Sequence, residues 1–221
     1  VYHIKLTDAH GRTHGDTYWG PGVRHEARPG PIQLCTDTAI HFYSGDTAQE
    51  ALALAVHMNP AQGALPRPRA WVFEPEGEVV TDHVKCGCKA GTTVEEVYLP
   101  DVTLEQRVEV AVRCALKVYF DARWVEWAEK WLSGEDRSEA TAAAAWDTAR
   151  TAWDAAVIEE TLTVAWAAEA AARTAWAASE DATGAAKAAE AAAACKAGVD
   201  VAKIASAVYY GQEEVECTTS S

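Results

Sequence analysis

Proline stops at Pro100, and between Thr103 and Tyr210 there is none to interrupt a backbone hydrogen-bond ladder. Over that stretch alanine, the best helix former, dominates, so a helix is close to forced. Long apolar runs are also missing, because Glu, Asp and Arg punctuate the alanine tract, and no segment reads as a bilayer span. No basic, apolar and small succession of the kind that marks a secretory leader opens the chain. The six cysteines (Cys35, Cys86, Cys88, Cys114, Cys195 and Cys217) are unevenly spaced and lack the rhythm of a disulfide framework, which favours a reducing compartment. Basic residues are few, 19 Lys and Arg against 33 Asp and Glu. The resulting net charge of −14 disfavours direct binding to nucleic acid or anionic lipid. The expectation is a soluble cytoplasmic protein without a membrane partner.

What is present argues for a folded chain. Its 221 residues are 49% hydrophobic, enough for one large domain or a small domain with a helical extension. The first 102 residues read as mostly sheet. Tyr2 to Leu6 alternates like a half-buried strand, and Thr13 to Trp19 is expected to return as its hairpin partner. Val23 to Ala27, Ile32 to Cys35 and Ala39 to Tyr43 follow as short strands around the loop Arg28 to Pro31. Thr47 and Glu50 form a capping-box pattern in which Glu50 reaches back to the cap amide. The helix it opens, near residues 47–58, ends at Asn59-Pro60. Ala70 to Val80 reads as a strand pair or one bent strand, and Val84 to Cys88 with Thr92 to Leu99 completes the sheet.

Residues 103–211 read as helical. Thr103 and Gln106 make a second capping box before an apolar pattern at helical spacing that runs to Tyr119. Trp124, Trp127 and Trp131 step by three and four and share one face, most simply a core stripe. Breaks are expected at Ser133 to Asp136 and Ser179 to Gly184, with final helices near 185–197 and 201–210. A polar, acidic tail covers 212–221. At ~100° per residue, Trp146 and Trp153 are nearly in line while Trp166 points to the opposite side and Trp176 about a quarter turn from it. Indoles on several faces need cover on several sides. Either the helix breaks near Glu159-Glu160 and folds back, or a second chain supplies the cover, which makes Trp146, Trp153, Trp166 and Trp176 interface candidates.

Three constellations have residue types suited to chemistry. His83 with Cys86 and Cys88, joined by Cys35 or His41, offers imidazole and thiolate to zinc. Cys-x-Cys is a poorer chelate than Cys-x-x-Cys, so buried free thiols are the favoured reading and no cofactor is expected. His41 follows a strand and precedes the Thr47 helix, with Tyr43, Ser44 and Asp46 nearby, and is the catalytic candidate set against a plain structural histidine. His10, His14 and His25 lie in turn-forming sequence and read as exposed. The strand, His, turn, helix and strand order around His41 loosely resembles ADP-ribosyltransferase cores, which implies a His and an aromatic seating NAD and a later Glu, here Glu74, Glu76 or Glu78, for the chemistry.

A second resemblance rests on a longer set of segments. Thr17 to Val23, Leu34-Cys35 with Ile40-His41, Gly77 to Val80, Lys85 to Cys88 with Thr92 to Val94, and Leu99 to Thr103 occur in that order. Cys114 to Tyr119 and Trp131 to Arg137 follow. Together they resemble an uncharacterised domain family of actinobacteria and their bacteriophages that is often followed by Ala- and Trp-rich helices. The likeness is close over about residues 1–140 and compositional beyond; the Gly that usually precedes the aromatic-His pair is Ala39 here. It implies an accessory protein of the host cytoplasm or the virion and brings no activity with it.

The sequence therefore predicts an α+β protein: a small, mostly antiparallel sheet domain with one inserted helix, followed by a C-terminal Ala/Trp-rich helical bundle or hairpin. The expected function is non-catalytic, protein–protein interaction or self-assembly through the helical region. The alternatives are an enzyme or binding protein for a nucleotide-like ligand at His41, or an acidic nucleic-acid mimic. A cleft at His41 lined by polar side chains favours the ligand reading, and a symmetric interface burying the four indoles favours assembly.

Overall fold

The structure, a computed structural model, describes residues 1–60, 65–82, 84–158, 162–177, 182–195 and 199–211, with side chains described outside 156–166, 176–184, 191 and 193–198. The fold is α+β. The sheet is built from β1 (Tyr2–Thr7), β4 (Val23–Glu26), β5 (Ile40–Gly45), β6 (Arg69–Thr81) and β7 (Cys86–Val97), all pairings antiparallel. A separate small hairpin joins β2 (Arg12–Thr13) to β3 (Thr17–Tyr18) through a 3-10 turn at His14–Asp16. The sequence suggested that Thr13 to Trp19 returns against β1; instead Arg12 to Tyr18 forms its own hairpin. The Asp8 side chain closes the preceding turn by accepting from the His10 and Arg12 amides.

The pairings close on themselves. β7 pairs with β5, β5 with β1, β1 with β6, and β6 again with β7, while β4 adds to β7. The long hairpin of β6 and β7 makes this possible by bending. Its register shifts between Trp71 and Phe73 and again between Glu76 and Val79, where Gly77 takes φ 76°. Close approach at one point requires glycine. A Cβ on Gly91 would lie 2.3 Å from the Phe73 ring and 2.8 Å from the Glu74 carbonyl oxygen. What the pattern showed as Val84 to Cys88 and Thr92 to Leu99 is thus one continuous strand. Ile32 to Cys35 is not a strand; Gly30 and Cys35 both have positive φ, 134° and 64°, and the Thr36 hydroxyl ties the loop to the Gln33 carbonyl.

Helix α1 (Ala48–Met58) covers β1 and β5, burying Ala51, Leu54, Ala55 and Met58. Its cap is Thr47, whose hydroxyl accepts from the Glu50 amide, but the Glu50 carboxylate takes the Asp46 amide, one residue before the expected partner. A full capping box does open α2 (Leu104–Leu116), with Thr103 and Gln106 bonded reciprocally. Helix α3 (Ala122–Ser133) ends at Gly134 in the left-handed conformation, φ 76°. Next come α4 (Glu139–Ile158), α5 (Leu162–Ala177), α6 (Ala182–Cys195) and α7 (Val201–Tyr210). Helix α4 packs along α5, α5 along α6, and α2 against α5, α6 and α7, so the tract is a folded-back bundle. The tail at 212–221 lies outside the described residues.

Trp124, Trp127 and Trp131 are the core stripe their spacing indicates. Trp124 is fully buried and its Nε1 donates to the Ala171 carbonyl of α5. Around them the bundle core is almost entirely alanine and valine, whose small side chains let helices approach closely. The bundle is fastened to the sheet layer through α1. Arg107 of α2 donates to the Val56 carbonyl at 2.8 Å, and His57 Nδ1 shares a 2.6 Å hydrogen bond with the Tyr209 hydroxyl of α7.

Candidate functional site

A cleft of about 960 Å³ opens on the sheet domain between β1, β4, β5 and the two loops that flank them. His41 lines it, together with Lys5, Trp19, His25, Cys35 and Lys85. Its volume is in the range of small-molecule sites. The loops contribute what strands cannot. The 3-10 turn brings His14, and the irregular segment after Pro31 brings Cys35 and Asp37.

Lys5 is the unusual residue. It is only 6% exposed, and its neighbours in β1, Ile4 and Leu6, are buried too. Its Nζ donates to the His41 carbonyl at 2.9 Å and lies 4.8 Å above the Trp19 ring. Among the described residues it makes no ion pair. Burial lowers its pKa to about 8. A buried ammonium without a carboxylate costs stability, and here the His41 carbonyl and the Trp19 ring offset part of that cost. Of the cleft's own carboxylates, Glu26 pairs with Arg24 at 3.9 Å and Asp37 with Arg28, itself a lining residue, at 3.4 Å. In a chain of net charge −14, the cleft lining thus gathers the cations Lys5, Arg28 and Lys85 against the carboxylates Glu26 and Asp37.

His41 is held in one role. Its Nε2 accepts the Cys35 amide at 2.9 Å, and burial followed by the charges of Lys5 and Lys85 lowers its pKa. The imidazole is therefore neutral, with a positioned acceptor nitrogen that fixes the Cys35 loop against β5. Lys85 sits on the other side of that loop, 8% exposed, donating to Cys35 Sγ at 2.9 Å with Asp82 at 3.7 Å. Burial opposes its charge, but the hydrogen bond to Cys35 and the nearby carboxylates outweigh this and raise its pKa.

The remaining candidates are placed as follows. Cys86 and Cys88 share one face of β7, buried with Trp19, Ile40, Phe42 and Phe73. Cys86 Sγ accepts from the Ser44 hydroxyl, Cys88 Sγ donates to the Ala90 carbonyl, and burial pushes the Cys88 thiol up to about 11. No group of three metal-ligating side chains is brought together among the described residues, and His83 lies outside them. Glu74, Glu76 and Glu78 stand on β6 away from the cleft, and Glu76 is held by a bidentate pair with Arg24 at 2.8 Å. His25 lines the cleft, its ring 4.5 Å from that of Trp19, and His14 lines it as well, while His10 does not. Trp146 and Trp153 are half-buried against the bundle, and the Arg150 guanidinium stacks 4.3 Å over Trp153. The side chains of Trp166 and Trp176 lie outside the described residues.

Sequence reading nominated His41 from chain order but missed Lys5. An alternating strand places every second residue toward solvent, and here closure of the strand circuit covers both faces. No known protein family, curated protein or solved structure matches the chain. No helix among the described residues is long and apolar enough to cross a membrane.

Proposed function

We propose that the sheet domain binds a small anionic, nucleotide-like ligand in the cleft beside His41. The observation that carries this reading is Lys5, a lysine buried at the cleft wall with a carbonyl and an indole face as its partners and no carboxylate among the described residues. His25 and Tyr43, both half-buried in the cleft lining, supply aromatic surface for a base or similar ring, and Lys5 with Lys85 supplies positive charge for phosphate. The reading is one of binding. The carboxylate that ADP-ribosyl transfer asks for does not stand in the cleft at Glu74, Glu76 or Glu78.

The test is calorimetric titration with AMP, ATP, NAD and inorganic pyrophosphate. At least one is expected to bind the wild type, with affinity reduced at least ~tenfold in Lys5→Met and in His41→Ala. Lys5→Met is expected to melt no lower than wild type, because it removes an unpaired buried charge. Absence of binding by all four probes at millimolar concentration (about the upper limit of useful affinity) overturns the reading.

A second reading, assembly with another protein through α4, is supported by Trp146 and Trp153, two indoles left half-covered by their own chain. Concentration-dependent sedimentation of the intact protein tests it, and a single monomeric species at all concentrations counts against self-association.

A further inference from the structure

Cys35 differs from the other described cysteines. Cys86, Cys88 and Cys114 are buried, whereas Cys35 is exposed at the cleft mouth. It is held there with φ 64°, its amide donated to His41 Nε2, so its side chain is aimed by the fold and not by a flexible loop. Lys85, more than nine-tenths buried, immediately precedes β7 and brings Nζ to 2.9 Å from Cys35 Sγ. The two residues are fifty positions apart in sequence. An accessible sulfur with an amine nitrogen at that distance is one bond-forming step from a covalent link once the sulfur becomes electrophilic.

We infer that Cys35 and Lys85 form an oxidative cross-link, a sulfur–nitrogen bond made under peroxide, which modifies the same cleft. In the first step the Cys35 sulfur attacks hydrogen peroxide. The O–O bond breaks, sulfur is oxidised to the sulfenic acid, and one water leaves. In the second step the Lys85 nitrogen, after giving up a proton to solvent, attacks that sulfur. The S–N bond forms, the S–O bond breaks, and the hydroxyl departs as a second water. Thiol, amine and one peroxide thus give a sulfenamide and two waters. A dithiol reductant reverses the link, returning thiol and amine and leaving as its disulfide.

The modification has a consequence for the site. A sulfenamide nitrogen carries no ammonium charge, so the cleft loses one of its cations, and the Cys35 loop becomes fixed to β7 across the mouth. This part of the inference rests on the ligand reading above; formation of the bond does not.

The experiment treats intact protein with hydrogen peroxide, then records intact mass and maps the tryptic peptides. The expected product is a species about 2 Da lighter than the reduced chain, with the Cys35 and Lys85 peptides joined and dithiothreitol restoring both. In Lys85→Gln the link is absent, and dimedone instead traps Cys35 sulfenic acid, which it does not trap in wild type. Accumulation of sulfenic or sulfinic acid on Cys35 in the wild-type chain, with no joined peptide, overturns the inference while leaving nucleotide binding by the reduced protein untouched. A joined peptide in a protein that binds none of the nucleotide probes upholds the cross-link and overturns the ligand reading. If both hold, oxidised protein binds the probe at least ~tenfold more weakly than reduced protein.

Discussion

The two layers of this molecule bury their interiors by opposite means. The helical layer is nearly free of polar side chains inside: alanines and valines from α2, α5, α6 and α7 pack around three indoles, with Thr174 and Ser206 among the few buried hydroxyls. The sheet layer buries Lys5, Thr7, Lys85 and Thr93 and satisfies them one at a time, Thr7 by the Trp71 indole N–H and Thr93 by donating to the Gly20 carbonyl. A polar interior is costly unless each group is matched. The contrast teaches where to look for function. Among the described residues, the layer packed mainly by shape buries few polar groups, while the layer with the buried cation also holds the cleft.

The largest effect tests whether the layers stand or fall together. Trp124→Ala empties a fully buried indole site and removes the bond to Ala171, so a loss of about 3–5 kcal/mol is expected. Chemical denaturation followed both by far-UV circular dichroism and by Trp19 environment is expected to show one transition, shifted in both signals. Two separate transitions would break the comparison, making the bundle an independent unit.

The next test works through pH. His57 is fully buried at the joint between layers, and burial, then the Arg107 charge, lowers its pKa from 6.5 to about 3. Between those values the unfolded chain binds a proton the folded chain refuses. Stability is therefore present in full above about pH 6.5 and lost as pH falls toward 3, by up to about 1.4 kcal/mol per pH unit. Urea midpoints measured across that window are expected to fall more steeply for wild type than for His57→Gln. Equal slopes would mean the joint is not where acid acts.

The smallest effect concerns the outer face of the bundle. Trp153 is half-buried under Arg150, and Trp153→Ala is expected to cost about 1 kcal/mol or less in thermal melts. A larger loss that grows with protein concentration would show that the indole is covered by a partner chain as well as its own.

Much of this architecture was readable from local signals. Thr103 with Gln106, the 124, 127 and 131 stripe, Gly134 as a helix stop and the alternation of Tyr2 to Leu6 all depend on neighbours a few residues away, and the structure bears out each as an element. The sheet's closure is not local. It follows from the bend at Gly77 and the close approach at Gly91, and its effect is to bury Lys5, which the same alternation had placed on an open face. Cys35 was read as part of a strand and a possible metal ligand, because nothing nearby in sequence announces Lys85. His41 was nominated from the strand, turn and helix order around it, while the partner that defines its surroundings came from 36 residues earlier.

The bond between His57 and Tyr209 spans 152 residues. A ribosome adding residues at ~5–20 per second needs roughly 8 to 30 s to travel from one to the other. During that interval α2 can already reach the end of α1 through Arg107, but the Tyr209 side of His57 lacks its partner. The nascent sheet must keep its cleft intact before the last helix arrives, or wait for it. The contact that closes the joint between the layers is thus among the last the growing chain can make.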